Sequence, residues 1–214
     1  MSQLSVTTPT AGREDPDPRE AEARRIRVAA WSVLRRSHFR SLKVRQVLAA
    51  SGTSASYFYR LYPSRSHLLL ALLRDEIRLV DKRFLATIEP GMSAAEQVRA
   101  WLAFVIDNVY NANRADRTRM FLDRDLLAEL PEQVRVLHRV LGDRLGEIIR
   151  RGMRDGEFRA GDPDADAMMV QHLVRGILAE GLQSPLPHTK DDLVSEVAGF
   201  VLRALGNAEP GSRP

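Results

Sequence analysis

Helical periodicity, interrupted by proline and glycine, runs from about residue 19 to about residue 206 and constrains the fold more than any other feature. Apolar residues recur three and four positions apart, as in Ile26, Ala30, Val33 and Leu34. This spacing is typical of a helix with one buried face. No alternating strand pattern of useful length occurs. The sequence therefore predicts an all-α protein of about nine helices, without internal repeats.

Prolines, glycines and capping residues predict where the helices begin and end. The segment 1–18 combines Pro16 and Pro18 with no periodicity, so it is expected to be a disordered tail. Pro131 and Pro163 stand where a helix favours proline, at its first position. Pro90-Gly91 is the best candidate for a domain boundary. The predicted helices span 19–36, 42–50, 53–59, 64–84, 93–112, 116–130, 132–155, 163–183 and 190–206.

Composition excludes several classes of protein and predicts neither a metal nor a cofactor. The chain has no cysteine, which excludes a disulfide framework, a thiolate zinc site and a cysteine nucleophile. Its histidines are scattered, and no nucleophile–base pair or phosphate-cradling glycine loop is present, so no catalytic residues are expected. No apolar run reaches the about 18 residues that a membrane span needs, and the first residues resemble no secretory signal. We therefore expect a soluble cytoplasmic protein that is not an enzyme.

Charge is distributed very unevenly along the chain. The 52 residues from Ala23 to Arg74 contain no Asp or Glu and eleven Lys or Arg, whereas the rest of the chain is net acidic. A polyanion such as DNA is the simplest partner for such a segment, because Lys and Arg that neutralise phosphates release condensed counterions. A solvated basic face or a membrane-surface contact is the alternative that charge alone leaves open.

Two short helices inside this basic segment have the spacing of a helix-turn-helix. Ser51-Gly52-Thr53 joins them, and Gly52 permits the positive φ that a sharp turn requires. The second helix is predicted to turn Phe58 and Tyr62 into the core and to present its first residues outward, namely Ser54, Ala55, Ser56 and Tyr57. Small polar residues there allow close approach to base edges in a major groove. An ordinary helical hairpin with a surface serine cluster is the alternative.

The run from Phe39 to Leu69 resembles the DNA-binding domain of the TetR family of bacterial transcriptional regulators. Its most diagnostic part is Tyr59-x-x-Tyr62-Pro63-Ser64-Arg65-x-x-Leu68. That segment is similar to the family signature Tyr-x-x-Phe-x-x-Lys-x-x-Leu. The resemblance covers roughly residues 20–70. It implies a DNA-binding domain at 19–65, a connecting helix at 66–90, a ligand-binding and dimerisation domain at 91–207, and a tail at 208–214.

The resemblance also implies roles for individual residues. Tyr59 is expected to give its hydroxyl to a DNA phosphate, and Arg65 to replace the family's Lys with a forked donor. Arg45 is expected to reach the opposite wall of the groove. The complete expected DNA-binding set is Lys43, Arg45, Thr53, Ser54, Ala55, Ser56, Tyr57, Tyr59, Arg60 and Arg65.

Two departures from the family pattern bear on this interface. Lys43 occupies the position that usually holds a capping Thr, so Ser41 is expected to cap the first short helix instead. Leu48 replaces a small Ala and is expected to alter the angle between the two short helices.

For the remaining two thirds, the resemblance implies a helical region that binds a ligand and dimerises. The expected dimer seam comprises Met169, Leu173, Gly176, Ile177, Val197, Phe200, Val201 and Leu205. Burial of these residues within one subunit is the alternative that periodicity leaves open. The expected ligand pocket comprises Trp101, Phe104, Asn108, Met120, Phe121, Leu137, His138, Leu141, Met169 and His172. The charged run around Arg117 and Arg119 is interpreted as a solvated face.

Together these features predict a homodimeric transcriptional regulator, most simply a repressor, whose partner is double-stranded DNA with a palindromic operator. Its effector is expected to be small and mostly apolar. No membrane partner is expected. The competing hypothesis is a helical protein-interaction module of the same fold that has lost sequence-specific DNA binding.

Overall fold

A computed structural model describes residues 17–37, 42–120 and 124–206, and these residues form helices and no strands. In chain order the helices are α1 (Pro18–Arg36), α2 (Val44–Ser51), α3 (Ala55–Leu61), α4 (Arg65–Leu85), α5 (Ala94–Tyr110), α6 (Ala112–Met120), α7 (Arg124–Glu129), α8 (Pro131–Arg154), α9 (Pro163–Gly181) and α10 (Lys190–Ala204). The all-α prediction is confirmed. The segments expected to be tails and Ser41 lie wholly or mostly outside the described residues.

Local signals placed most of these boundaries correctly. Pro131 and Pro163 each begin a helix, and Asp162 caps α9 by accepting from two backbone amides. The start expected for the helix at 116–130 was wrong, because α6 begins at Ala112. The described residues of that segment belong to α6 and α7.

Two hydrophobic cores divide the molecule, and α4 belongs to both. The first core contains apolar residues of α1 to α3 and the N-terminal half of α4, including Leu68 and Leu72. The second lies among α5, α8, α9 and α10 and includes Phe84 near the end of α4. The short helix α7 adds Leu126 to the first core, so the boundary of that core does not follow the order of the chain. A rigid helix that is buried at both ends is suited to connect the two cores mechanically.

A charge pair ties α6 to α4 between the two cores. The carboxylate of Glu76 is buried, and both of its oxygens lie 3.0 Å from Nη1 of Arg117. The Arg117 guanidinium also lies 5.3 Å from the ring centre of Trp31 on α1, a cation–π distance. The interpretation of Arg117 as part of a solvated face was therefore wrong. Its partners are 41 and 86 positions away in the chain, beyond the reach of helical periodicity.

Candidate nucleic-acid interface and effector cavity

The turn between α2 and α3 has the geometry that its sequence predicts. Gly52 adopts φ 66°, in the left-handed region, and ends α2. Ser54 then caps α3 by accepting a hydrogen bond from the amide of Tyr57 at 3.3 Å. Lys43 begins α2 without a side-chain capping bond, as the departure at this position predicts. A left-handed glycine followed directly by the cap of a second short helix is typical of the turn in a helix-turn-helix.

The inner face of α3 anchors it to α1. Phe58 is fully buried, and Tyr62 is buried beside it, as predicted. The Tyr62 hydroxyl donates to the carbonyl of Ala23 and accepts from Arg27, so its polar end is satisfied. Burial raises the pKa of the Tyr62 phenol, and the hydrogen bond from Arg27 opposes that shift. The orientation of α3 is therefore fixed by both packing and hydrogen bonds.

The outer face of α3 is open to solvent. Ser54, Ala55 and Ser56 are exposed, Tyr57 is half-buried, and Tyr59 is 51% exposed. The structure thus brings together small polar residues at the start of α3 and a phenol hydroxyl one turn later. This arrangement suits close approach to base edges with a phosphate contact alongside.

The basic residues expected at the interface differ in how they are held. Lys43 and Arg45 on α2 are exposed. The Arg60 guanidinium lies 4.4 Å from the ring centre of Tyr57, which orients it along α3. Arg65 donates from Nε to the carbonyl of Leu42 at 3.0 Å, so it also has a structural role between α4 and the segment before α2.

Thr53 is placed differently from the rest of the expected DNA-binding set. It is 7% exposed, and its hydroxyl donates to the Glu22 carboxylate on α1 at 2.6 Å. A buried hydroxyl that is committed to α1 fixes the turn and is not presented at the surface. Thr53 was included in the expected DNA-binding set on the resemblance, which carries no information about a contact with α1.

An apolar cavity of about 440 Å³ opens between α4, α5, α8 and α9. This volume lies within the range of small-molecule sites. Its lining is mostly aliphatic and aromatic, with a few polar groups. The lining residues are Ile77, Val80, Asp81, Phe84, Trp101, Phe104, Val105, Asn108, Thr118, Leu127, Arg144, Gln171, Val174, Arg175, Leu178 and Ala179.

The structure brings only part of the expected pocket together. Trp101, Phe104 and Asn108 line the cavity. Met169 and His172 are exposed on α9 and are not among the residues that line the cavity. Phe121 lies outside the described residues, as do the side chains of Met120, Leu137, His138 and Leu141. The wall from α9, including Val174 and Leu178, was missed, although their spacing of four is a signal that they share one face.

Most polar groups of the cavity wall are already engaged within the chain. Asn108 donates to the carbonyl of Val105, and Thr118 donates to that of Arg114. Arg144 makes two hydrogen bonds to Asp81, at 2.8 and 3.2 Å. By contrast, the exposed Arg175 has no hydrogen bond or ion pair with the described residues.

The residues expected at a dimer seam fall into two groups. Met169, Leu173 and Phe200 are 63%, 37% and 59% exposed, and the exposed Gly176 leaves open space beside α9. The other four are packed into the second core of their own subunit, because they lie on the inner faces of α9 and α10. These are Ile177, Val197, Val201 and Leu205.

Comparison with known proteins agrees with this geometry. Residues 94–184, which carry most of the cavity wall, match the family model described as tetracyclin repressor-like, C-terminal domain. Over these residues the chain is similar to the TetR family. It is 22% identical over 188 residues to the HTH-type transcriptional repressor KstR of Rhodococcus jostii (strain RHA1), covering 83% of this chain and 80% of that protein.

Solved structures of transcriptional regulators share the fold. One is a regulatory protein of the TetR family from Rhodococcus RHA1, with a TM-score of 0.56 and 23% identity over 88% of this chain and 98% of that one. Another is the transcriptional regulator FadR from Bacillus subtilis in complex with stearoyl-CoA. It has a TM-score of 0.67 and 16% identity, covering 87% and 99% of the two chains.

The chain is therefore similar to transcriptional regulators. No helix in the described ranges is both long and apolar enough to cross a membrane. Within those same ranges, no three acidic or histidine side chains cluster in a way that would hold a metal ion.

Proposed function

We propose that this protein is a homodimeric repressor that binds a palindromic operator in the cytoplasm and responds to a small, mostly apolar effector. The observation that carries the DNA-binding part is the outer face of α3, where exposed small residues precede the exposed Tyr59, together with the exposed Lys43 and Arg45 at the start of α2. Two such helices in a dimer would need to lie about 34 Å apart, or a multiple of it, to enter successive turns of a major groove.

Exposed apolar side chains on α9 and α10 support the proposal that the protein forms a dimer. Met169 and Leu173 are four residues apart and share a face of α9 with Gly176, whose lack of a side chain permits close approach of another helix. Phe200 adds an exposed ring on α10. Two neighbouring exposed apolar side chains on α9 and a third on α10 are consistent with a protein–protein contact.

The cavity supports the proposal that the protein binds an effector, and the residues of its wall indicate which chemical groups that effector would carry. Ring and aliphatic side chains would hold an apolar body, and Arg175 has a guanidinium uncommitted to other described residues. An effector with one acidic group would use that cation. The bound stearoyl-CoA of the Bacillus subtilis FadR shows that a regulator of this fold accommodates an apolar chain with an anionic group.

Coupling between the cavity and the DNA passes through α4. Its residue Ile77 lines the cavity, while its first residue, Arg65, is expected at a DNA phosphate. An effector that binds more tightly to one orientation of α4 shifts the population towards that orientation.

Selection of bound duplexes from a random DNA pool tests the operator. The wild type should enrich a palindromic sequence, and Arg45→Ala should enrich the same sequence less. The control Arg154→Ala, which removes one positive charge from α8, should enrich it as strongly as the wild type. Failure of the wild type to enrich any sequence, with or without added cavity ligands, would contradict the proposal.

Two fluorescent probes test the cavity, because anilinonaphthalene sulfonate and phenylnaphthylamine differ by one sulfonate group. Both should bind, and Arg175→Gln should weaken binding of the sulfonate alone. An equal effect on both probes would exclude recognition of the anion, and failure of both to bind would exclude the effector site.

A further inference from the structure

The N-terminus of α4 holds a carboxylate that comes from the effector-binding region. Ser64, the N-cap of α4, donates its hydroxyl hydrogen to Oε1 of Glu129 at 2.5 Å. Nδ1 of His67, in the first turn of α4, lies 3.7 Å from the same oxygen. Glu129 is the last residue of α7, 65 positions further along the chain than Ser64. The contact is therefore made by folding and is not a local cap.

The surroundings of this carboxylate favour its charged form. Hydrogen bonds from the hydroxyls of Ser64 and Ser66 lower the pKa of Glu129, and the nearby His67 ring and Arg65 guanidinium lower it further. A helix N-terminus favours a negative charge because its first amides carry partial positive charge. Glu129 thus occupies part of the positive potential that the start of α4 would otherwise offer to a phosphate.

The position of Glu129 matters because of what surrounds it. Arg65, the first residue of α4, is the residue expected at a DNA phosphate, and Tyr59 on α3 precedes it by six positions. DNA phosphates are attracted by the summed potential of such groups, and a fixed carboxylate among them reduces that attraction.

The same short helix touches the cavity. Leu127, two residues before Glu129, lines the cavity wall, while Leu126 and Leu130 are buried in the core that supports the DNA-binding helices. The carboxylate is therefore fixed to a segment that the cavity and the DNA-binding domain share.

We propose that Glu129 is a built-in negative determinant of DNA affinity, supplied by the effector-binding region to the DNA-contacting end of α4. This inference rests on the proposed DNA-binding function. It adds a residue that neither the helix-turn-helix nor the signature around Tyr59 contains.

The test compares two isosteric variants that change net charge equally. Glu129→Gln keeps an oxygen that can accept from Ser64 but removes the charge. Glu132→Gln removes a charge three residues away, where Glu132 is exposed and paired only with exposed Arg135 among the described residues. Affinity for a labelled duplex of random sequence is measured by fluorescence anisotropy at low and at moderate salt, after thermal unfolding has shown that both variants are folded.

Glu129→Gln should tighten binding by about two- to fivefold for each DNA-binding domain at low salt, the effect of a charge at a helix N-terminus. Glu132→Gln should tighten it clearly less. The advantage of Glu129→Gln should shrink as salt rises, because screening weakens a charge effect and not a packing effect.

The proposal is overturned if the two variants tighten binding equally, or if Glu129→Gln leaves affinity unchanged or weakens it. An increase that persists at moderate salt would also overturn it, since that result indicates altered packing. If the wild type binds no duplex at all, the proposed DNA-binding function fails instead, and this result is distinguishable from the others.

Discussion

Removal of the Arg117 side chain should destabilise the protein more than removal of any exposed arginine. Arg117→Ala leaves the carboxylate of Glu76, whose side chain is 7% exposed, without the cation that lies 3.0 Å from both of its oxygens. Breaking a buried pair by removing one partner costs about 3–5 kcal/mol. Because the Arg117 side chain is itself 30% exposed, water enters more readily, and we expect about 2–4 kcal/mol, with the lost contact to Trp31 included.

Thermal and urea unfolding measure this cost. A domain of this size loses roughly 2–4 °C in Tm per kcal/mol, so Arg117→Ala should lower Tm by roughly 5–15 °C. Arg135→Ala is the matched control, because Arg135 pairs with Glu132 at 2.9 Å but both side chains are more than 60% exposed. That variant should change stability by less than about 1 kcal/mol.

A second substitution tests whether the unpaired charge of Glu76 causes the loss of stability. In the background of Arg117→Ala, Glu76→Gln replaces the unpaired buried charge with a neutral amide and should restore part of the lost stability. If Arg117→Ala unfolds like the wild type, or if Glu76→Gln makes the variant still less stable, the buried charge is not the cause.

Three further outcomes are expected. Tyr59→Phe should weaken binding to all duplexes by about 1 kcal/mol without lowering Tm, measured by anisotropy and thermal unfolding; a changed sequence preference would contradict a phosphate contact. Met169→Glu should shift the dimer towards monomer in analytical ultracentrifugation, whereas Val136→Glu, at a comparably exposed position on α8, should not; equal behaviour of the two would place the seam elsewhere. Val105→Trp should fill the cavity and abolish binding of both naphthyl probes while the fold is retained; unchanged binding would show that the probes bind at another site.

Local chemistry explains why the DNA-binding half was largely predictable from the sequence. Gly52, Ser54 and the buried pair Phe58 and Tyr62 act over four or five residues, so their pattern alone fixes the turn, the cap and the inner face of α3. The resemblance of the signature around Tyr59 then predicts which surface is expected to face DNA. The contact of Thr53 with Glu22 was not predicted, because the two residues lie 31 positions apart in the chain.

The effector half was less predictable because its helices are apolar on more than one side. On α9, Met169 and Val174 are both apolar, yet one is exposed and the other lines the cavity. Periodicity identifies both faces as apolar but does not say which partner covers each. The placement of Arg117 shows the same limit, since a charged residue in a charged run gives no sign that it will bury its partner.

The effector-binding region contacts α4 at three levels along the helix. Its start bears the carboxylate of Glu129, its middle holds Glu76 against Arg117, and Phe84 near its end joins the second core and the cavity. A helix held at three separate levels by the effector-binding region cannot move at one level without changing contacts at the others, because packed interiors transmit strain and do not absorb it. The variants at Glu129 and Arg117 should therefore affect different measured quantities, because Glu129→Gln keeps the contact with α4 and removes only a charge, whereas Arg117→Ala removes the contact itself. The first should change DNA affinity with little effect on Tm, whereas the second should change Tm and, with it, the dependence of DNA binding on the cavity's occupant.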